Sequence, residues 1–334
     1  MEAPVTRPET IDKLRFAADS YLAALAGMQL DLFTPLKDGP KTAEEIAQAI
    51  GVGPARLRLL LYSLVAAELL AEQGGRFSNT REAEQFLVKG SRAYIGYRHP
   101  SISAQITYKL KTAESIRTGV PQTKVDFSNS PLDVVEAFLR RINVHAVQSA
   151  RALLERYDFT KIKALVDVGC GCAGIALTMT KNCPHMQATA IDLPQVTPIA
   201  RKVIEEEGMT DRVKVIAADV LSGPLPGLYD VAILRNVLQV LSLSDARLAV
   251  RNIGAAINPG GMIYIIGQVL DDCRTSPLEA VGFNLNFINH FDVGESYTER
   301  EHREWLNEAG FVDIERANFL LPGGEGVMTA RKPK

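Results

Sequence analysis

The sequence predicts an α/β fold, a parallel sheet with helices on both faces, preceded by an all-helical domain. Two observations carry this. Up to about residue 160 apolar residues recur at helical spacing, and beyond it short β-rich runs alternate with helical ones, as strand-helix-strand units do. The first β-rich run also leads straight into a glycine turn and a further helix, ALVDVGCGCAG and then ALTMTKNC. The 334 residues, 46% hydrophobic and 23% charged, suffice for a full core and for two domains.

In order, residues 10–35 read as a helix. The segment 42–51, TAEEIAQAIG, is a second, with Thr42 as N-cap and Glu45 completing a capping box. Gly51 to Pro54 turns the chain into a third helix, PARLRLLLYSLVAAELL, ending at Leu70, and AEQGGRFSNT forms a two-stranded wing about Gly74 and Gly75. This is a winged helix, so DNA binding has to be weighed. Its recognition helix would offer Arg56 and Arg58 followed by a wholly apolar stretch. Such a face belongs in a protein interior or a dimer interface, not in a hydrated groove. Helices at 101–119 and 131–157 follow. The expected strands are ALVDVG, QATAIDL, VKVIAAD, YDVAILR, MIYIIGQVL, FVDIERANFL and GVMTAR. The expected division is a winged-helix domain at 1–100, linking helices at 101–160 and the sheet domain at 161–334.

A net charge of −2 gives no reason to expect nucleic acid or an anionic membrane as partner. The N-terminus, MEAPVTRPETIDKLRF, lacks the apolar stretch of a secretory signal, and no run is long enough to span a bilayer. A cytoplasmic protein is expected. Cys170, Cys172, Cys183 and Cys273 are too few and too irregularly spaced for a disulfide framework or a zinc site. Cys170 and Cys172 read as small filler inside the glycine turn, and no metal is expected.

The chemistry is expected in the second part. Gly169 and Gly171 let the backbone turn tightly and approach a ligand, and the next helix aims its N–H groups at it. Asp167 precedes the first glycine by two, Asp192 closes the second strand and Asp219 the third. Acids at the carboxyl ends of successive parallel strands lie where such sheets bind ligands, and Asp192 is placed to accept from two ribose hydroxyls. The alternative is that they only cap helices.

VDVGCGCAG, AIDLP, AADVL, YDVAILRNVLQVLSLSDA, the NPGG turn at 258–261 and YTEREHREWLNEAGF at 297–311 together resemble the caffeate and acetylserotonin type of S-adenosylmethionine-dependent methyltransferase. The resemblance runs end to end and includes the winged helix and IRTGVP at 116–121. It implies a Rossmann-like class I methyltransferase domain and a homodimer through the N-terminal domain. It also implies S-adenosylmethionine as donor, with S-adenosylhomocysteine as product. Asp192 with Leu193 would hold the ribose, and Asp219 and Val220 would flank the adenine. Asp167 and Arg235 would lie near the donor, with Phe138 and Ile142 on a covering helix. The usual third glycine is Ala173 here, followed by Gly174.

The sequence departs from the resemblance where acid–base residues belong. The position of the family's general-base His is Gln239, in Leu238-Gln239-Val240-Leu241, and two supporting Glu positions are Gln268 and Ser296. A positioned base is worth about 10² to 10⁴ in rate, so methylation of a hydroxyl would suffer. A thioether has no proton to lose and needs alignment and dryness instead. A carboxylate, a neutral amine or an activated ring carbon would also need less help, and His290 or His99 could act as base from another direction. Gln239, Gln268, Asn286, His290, Tyr297, Tyr97 and His99 are the expected acceptor-site residues, with Gln239 and His290 in catalytic roles. The expected reaction is S-methylation of a small thioether acid such as 4-methylthio-2-hydroxybutyrate, on the route to dimethylsulfoniopropionate. The alternatives are O- or C-methylation of a secondary metabolite or pigment precursor, and a non-catalytic donor-binding regulator.

Overall fold

The computed structural model describes residues 7–124, 126–127, 129–321 and 323–334. Residues 1–6, part of the N-terminal segment in which no secretory signal is expected, lie outside them. The chain forms two compact units, Met1–Thr107 and Tyr108–Lys334. The expected linking segment is therefore split, and most of it belongs with the sheet.

In the first unit the helices are α1 (Glu9–Gln29), α2 (Ala43–Ile50), α3 (Pro54–Ala66) and α4 (Arg81–Phe86), and α5 (His99–Lys109) crosses the boundary. The Thr42 capping box forms: Thr42 Oγ1 accepts from the Glu45 N–H at 3.2 Å, and Glu45 returns the bond to the Thr42 N–H at 2.7 Å. Two expected helices end early, because Asp31 and Glu68 adopt left-handed conformations at φ 52° and 59°. Glu68 turns the chain into β2 (Leu70–Gln73), which pairs with β3 (Arg76–Asn79). A short β1 (Lys41–Thr42) adds to β3, so the wing has three strands instead of two, and the unit is not all-helical. Helix α3 buries Leu57, Leu61 and Leu64 and leaves Leu59 and Tyr62 exposed at 67% and 50%, while α1 exposes Ile11 and Leu14. Among the described residues no single helix is long and apolar enough to cross a membrane.

The second unit is built on a seven-stranded sheet. Its strands are β4 (Ala164–Val168), β5 (Gln187–Asp192), β6 (Val213–Ala217), β7 (Tyr229–Arg235), β8 (Ile257–Gly267), β11 (Val312–Arg316) and β12 (Gly326–Arg331). A separate parallel pair joins β9 (Val269–Leu270) to β10 (Tyr297–Thr298). The order is β11-β12-β8-β7-β4-β5-β6, with β4 to β8 parallel and β12 antiparallel to both neighbours. Strand β4 is buried from Leu165 to Val168, as expected of a central parallel strand covered on both faces. The register places Val168 beside Ile191 and Leu234, so the ends of β4, β5 and β7 share one edge.

The helices of this unit are α6 (Thr112–Thr118), α7 (Leu132–Arg156), α8 (Gly174–Asn182), α9 (Thr197–Glu206), α10 (Leu243–Ala255), α11 (Leu278–His290) and α12 (Glu299–Glu308). The expected helix at 101–119 is thus broken into α5 and α6, and the expected strand at 311–320 is only β11. Helix α7 lies hard against the start of α8. A Cβ on Gly174 would overlap Asn143 Oδ1 and sit 3.3 Å from the Ala146 Cβ. Gly174→Ala is therefore expected to cost about 1–3 kcal/mol through overpacking. Thermal denaturation should show the loss, with partial recovery when Asn143→Ala is added.

Candidate active site

The glycine turn is folded onto the second strand. Gly169 and Cys170 donate their N–H groups to the Ile191 carbonyl at 2.8 and 3.0 Å, and Gly171 donates to the Asp192 carboxylate at 2.8 Å. Gly169 and Gly171 have φ of 67° and 54°, and a Cβ on Gly169 would overlap the Val237 side chain. Ala173 takes a left-handed conformation at φ 57°, a strain of about 1–2 kcal/mol for a non-glycine residue. The close helix approach falls to Gly174, one residue later. Cys170 and Cys172 are buried, and burial pushes both thiols up, Cys172 to about 11, so they are inert filler.

All three aspartates hold backbone N–H groups. Asp167 is buried and accepts from the Ala176 N–H in the first turn of α8 at 3.0 Å. Burial, helped by the nearby Asp192 charge, pushes its carboxyl up to about 7. Asp192 accepts from Gly171 and from Leu193, each at 2.8 Å, and burial raises its carboxyl too. Asp219 is exposed beyond the end of β6 and accepts from the Leu221 N–H at 2.9 Å. Val220 gives its carbonyl to Asn252. Phe138 and Ile142 lie partly buried on α7 against the core of this unit.

Arg235, expected near the donor, lies close enough to Asp167 for its charge to act on that carboxyl, and it is held by an ion pair. It forms a two-pronged pair with Glu325, Nε to Oε2 at 3.0 Å and Nη2 to Oε1, and both side chains are largely buried. Glu325 also accepts from Asn236 Nδ2 at 2.9 Å and Ser149 Oγ at 3.0 Å. Nothing in the glycine-rich GGEGV around Glu325 marked it in the sequence.

The three positions that lack ionisable groups are all buried. Gln239 is wholly enclosed, and neither Oε1 nor Nε2 has a hydrogen-bond partner. A Cβ on Gly267 would overlap its amide, and one on Gly294 its carbonyl. Gln268 is buried with Oε1 unpartnered, and so is the Oδ1 atom of Asn236. Ser296 is fully engaged: its N–H donates to Asn284 Oδ1 at 2.7 Å and its hydroxyl to the Ala280 carbonyl at 3.0 Å. Tyr297 departs from the expected acceptor site. Its ring is buried against Trp305 and its hydroxyl is bound to the Leu241 carbonyl at 2.6 Å, which makes it part of the core.

Asn286 and His290 stand together on α11 with Tyr108. The Tyr108 hydroxyl donates to Asn286 Oδ1 at 2.9 Å, and its ring lies 4.1 Å from that of His290, centre to centre. His290 Nδ1 faces the Thr123 carbonyl at 2.7 Å, so Nδ1 carries a proton and Nε2 keeps its lone pair. Burial pushes the imidazole below its ordinary value. Tyr97 and His99 belong to the first unit. Among the described residues no group of three His, Cys, Asp or Glu is placed to hold a metal ion.

Two buried groups make stability depend on pH in opposite directions. His302, buried on α12 with Nδ1 bound to the Thr298 carbonyl, is pushed down to about 4 by burial. The unfolded chain binds its proton first, so the fold loses about 3 kcal/mol as pH falls from about 6.5 to 4. Asp167 works the other way, because the folded carboxyl protonates first as pH falls from about 7 to 4. In urea denaturation, His302→Gln should gain on the parent chain as pH falls through this window, and Asp167→Asn should lose on it. Parallel curves would refute both assignments.

Comparison with known proteins places this geometry. Residues 122–312 match the model of the O-methyltransferase domain, and residues 21–89 that of the O-methyltransferase dimerisation domain. The chain is 29% identical over 317 residues to 3-hydroxy-5-methyl-1-naphthoate 3-O-methyltransferase of Streptomyces sahachiroi, covering 92% of this chain and 90% of that one. It is 27% identical to the N,N-dimethyltransferase OxyT of Streptomyces rimosus, covering 99% and 98%. Human N-acetylserotonin methyltransferase, solved with S-adenosylmethionine, shares the fold with a TM-score of 0.72 at 20% identity, over 99% of this chain and all of that one. A glycine turn closed by an acid at the edge of a seven-stranded sheet, and matches that span both units, show that the chain belongs to the O-methyltransferase family of S-adenosylmethionine-dependent enzymes.

Proposed function

We propose that the enzyme methylates a neutral atom that carries no proton to be removed, and that its acceptor is a small thioether acid such as 4-methylthio-2-hydroxybutyrate. The observation that carries this is the buried Gln239 amide, whose oxygen and nitrogen are both without a partner, as are the side-chain oxygens of Gln268 and Asn236. A buried polar atom without a partner costs about 1–3 kcal/mol, so a ligand that meets it is favoured. Carbonyl oxygens suit an acceptor that becomes cationic, and none of these groups can take up a proton. The acceptor sulfur uses its lone pair to form a bond to the methyl carbon as the donor's S–CH₃ bond breaks. One sulfonium replaces another and no proton moves.

The residues fit the donor. The carboxylate of Asp192 uses two of about four lone-pair sites on Gly171 and Leu193, leaving two for a ribose diol. Asp219 and Val220 would flank the adenine, and Phe138 and Ile142 would cover the site. Asp167, protonated near neutrality when alone, ionises more readily beside a cation. S-adenosylmethionine supplies an electrophilic methyl group on a sulfonium sulfur. His290 and Asn286 would hold the acceptor's polar end. A second reading, O- or C-methylation of a secondary metabolite or pigment precursor, draws support on the O-methylation side from the naphthoate 3-O-methyltransferase among the relatives.

Incubation of labelled donor with a panel of acceptors is expected to mark a thioether acid and to leave simple phenols unlabelled. On the thioether acid, His290→Asn should raise KM and leave kcat within about tenfold, and Gln239→His should not raise the rate. A kcat loss of about 10² to 10⁴ in His290→Asn would make His290 the base and a hydroxyl the acceptor. No turnover with any acceptor would favour a binding protein.

We also propose a homodimer through the first unit, because α1 and α3 leave Ile11, Leu14, Leu59 and Tyr62 uncovered. Replacing Leu59 and Tyr62 together by Glu should yield a folded monomer in sedimentation. A variant of unchanged mass would place the interface elsewhere.

A further inference from the structure

We infer that Glu325 is a positioning residue for methyl transfer, acting through Asn236; the inference rests on the methyltransferase activity and not on the thioether. One buried carboxylate gathers four hydrogen bonds from three residues. Two come from Arg235 at the end of β7, one from the Asn236 amide and one from Ser149 on α7. Its tie to Asn236 matters most. Asn236 is left-handed at φ 56°, a conformation that asparagine adopts more readily than other non-glycine residues and that is kept here by its surroundings. Its N–H is fixed to the Ile266 carbonyl at 2.9 Å and its amide to Glu325.

The residues immediately after Asn236 give that conformation a use. Val237 lies where a Cβ on Gly169 would be, so its place defines one wall of the glycine turn. The one-turn 3-10 helix Leu238–Val240 begins next and carries Gln239, whose amide packs on Gly267. Ser149 ties the same carboxylate to α7, the helix whose Asn143 and Ala146 meet Gly174. Glu325 therefore touches neither reactant position, yet it fixes the backbone that sets both.

The test is a double-mutant cycle on Asn236→Gly and Glu325→Gln. Glycine adopts positive φ freely, so Asn236→Gly should fold, with a Tm lowered by no more than the lost hydrogen bond to Glu325 accounts for. Its kcat, measured with whichever acceptor is turned over, is expected to fall about 10- to 100-fold, as loss of alignment does. The donor Kd from calorimetry should move by less than the kcat. Glu325→Gln leaves Arg235 without its ion partner and should lower the Tm as well as kcat. The double variant should lose no more kcat than the worse single, because both act through one conformation. An Asn236→Gly enzyme with parental kcat and KM, or kcat losses that multiply in the double variant, would reduce Glu325 to a structural ion pair. Failure of every acceptor would instead bear on the reading of the substrate, since the donor Kd and Tm of each variant are measured without one.

Discussion

Close backbone approach at the glycine turn is the constraint on which the second unit depends. Gly169 admits Val237, Gly174 admits Asn143, and Gly267 admits the Gln239 amide, each at a distance that no Cβ would allow. These three contacts join β4, α8, α7, the end of β7 and the end of β8. A side chain at any of them would have to displace an element that borders the ligand edge of the sheet, so packing and site geometry cannot be altered separately.

Burial in the second unit has a consistent chemical character. The carboxyls of Asp167 and Asp192 are pushed up and the imidazole of His290 is pushed down, all by loss of water. The Gln239 amide itself is neutral and has no hydrogen-bond partner. Arg235 and Glu325 neutralise each other in a geometry with two parallel bonds. Such surroundings penalise the creation of isolated charge and favour a reaction that relocates charge already present, which is the character of the proposed transfer between two sulfur atoms.

Much of this was legible because it depends on local chemistry. The Thr42 capping box, the glycine turn and Asp167 and Asp192 at the strand ends are short-range signals, and each sits in the expected element, whereas Asp219 falls two residues beyond the end of β6. The element boundaries were less legible. Asp31, Glu68 and Asn236 adopt left-handed backbone conformations that residue type alone does not announce, and two of them end helices that periodicity would have continued. Tyr297 misled for a related reason: a tyrosine beside a predicted pocket has the same composition whether its hydroxyl meets a ligand or, as here, the Leu241 carbonyl. Glu325 was invisible because its partners lie 89, 90 and 176 residues away. An acid between glycines reads as a solvated turn until the sheet places it beside Arg235.

Strain flanks the site on both sides. Ala173 at the glycine turn and Asn236 at the end of β7 are both left-handed without being glycine, at a cost of about 1–2 kcal/mol for Ala173 and less for Asn236, since asparagine enters this region more readily. Neither is left to relax. Ala173 is enclosed where α8 begins against α7, and Asn236 is held by Ile266 and Glu325. An enzyme that relies on a base can tolerate some looseness, because proton transfer contributes its own factor of about 10² to 10⁴. In the proposed reaction that factor is absent, and alignment of a lone pair with the methyl group must supply the rate. A backbone held in strained conformations on both flanks of the reacting centre is what such a demand for alignment requires.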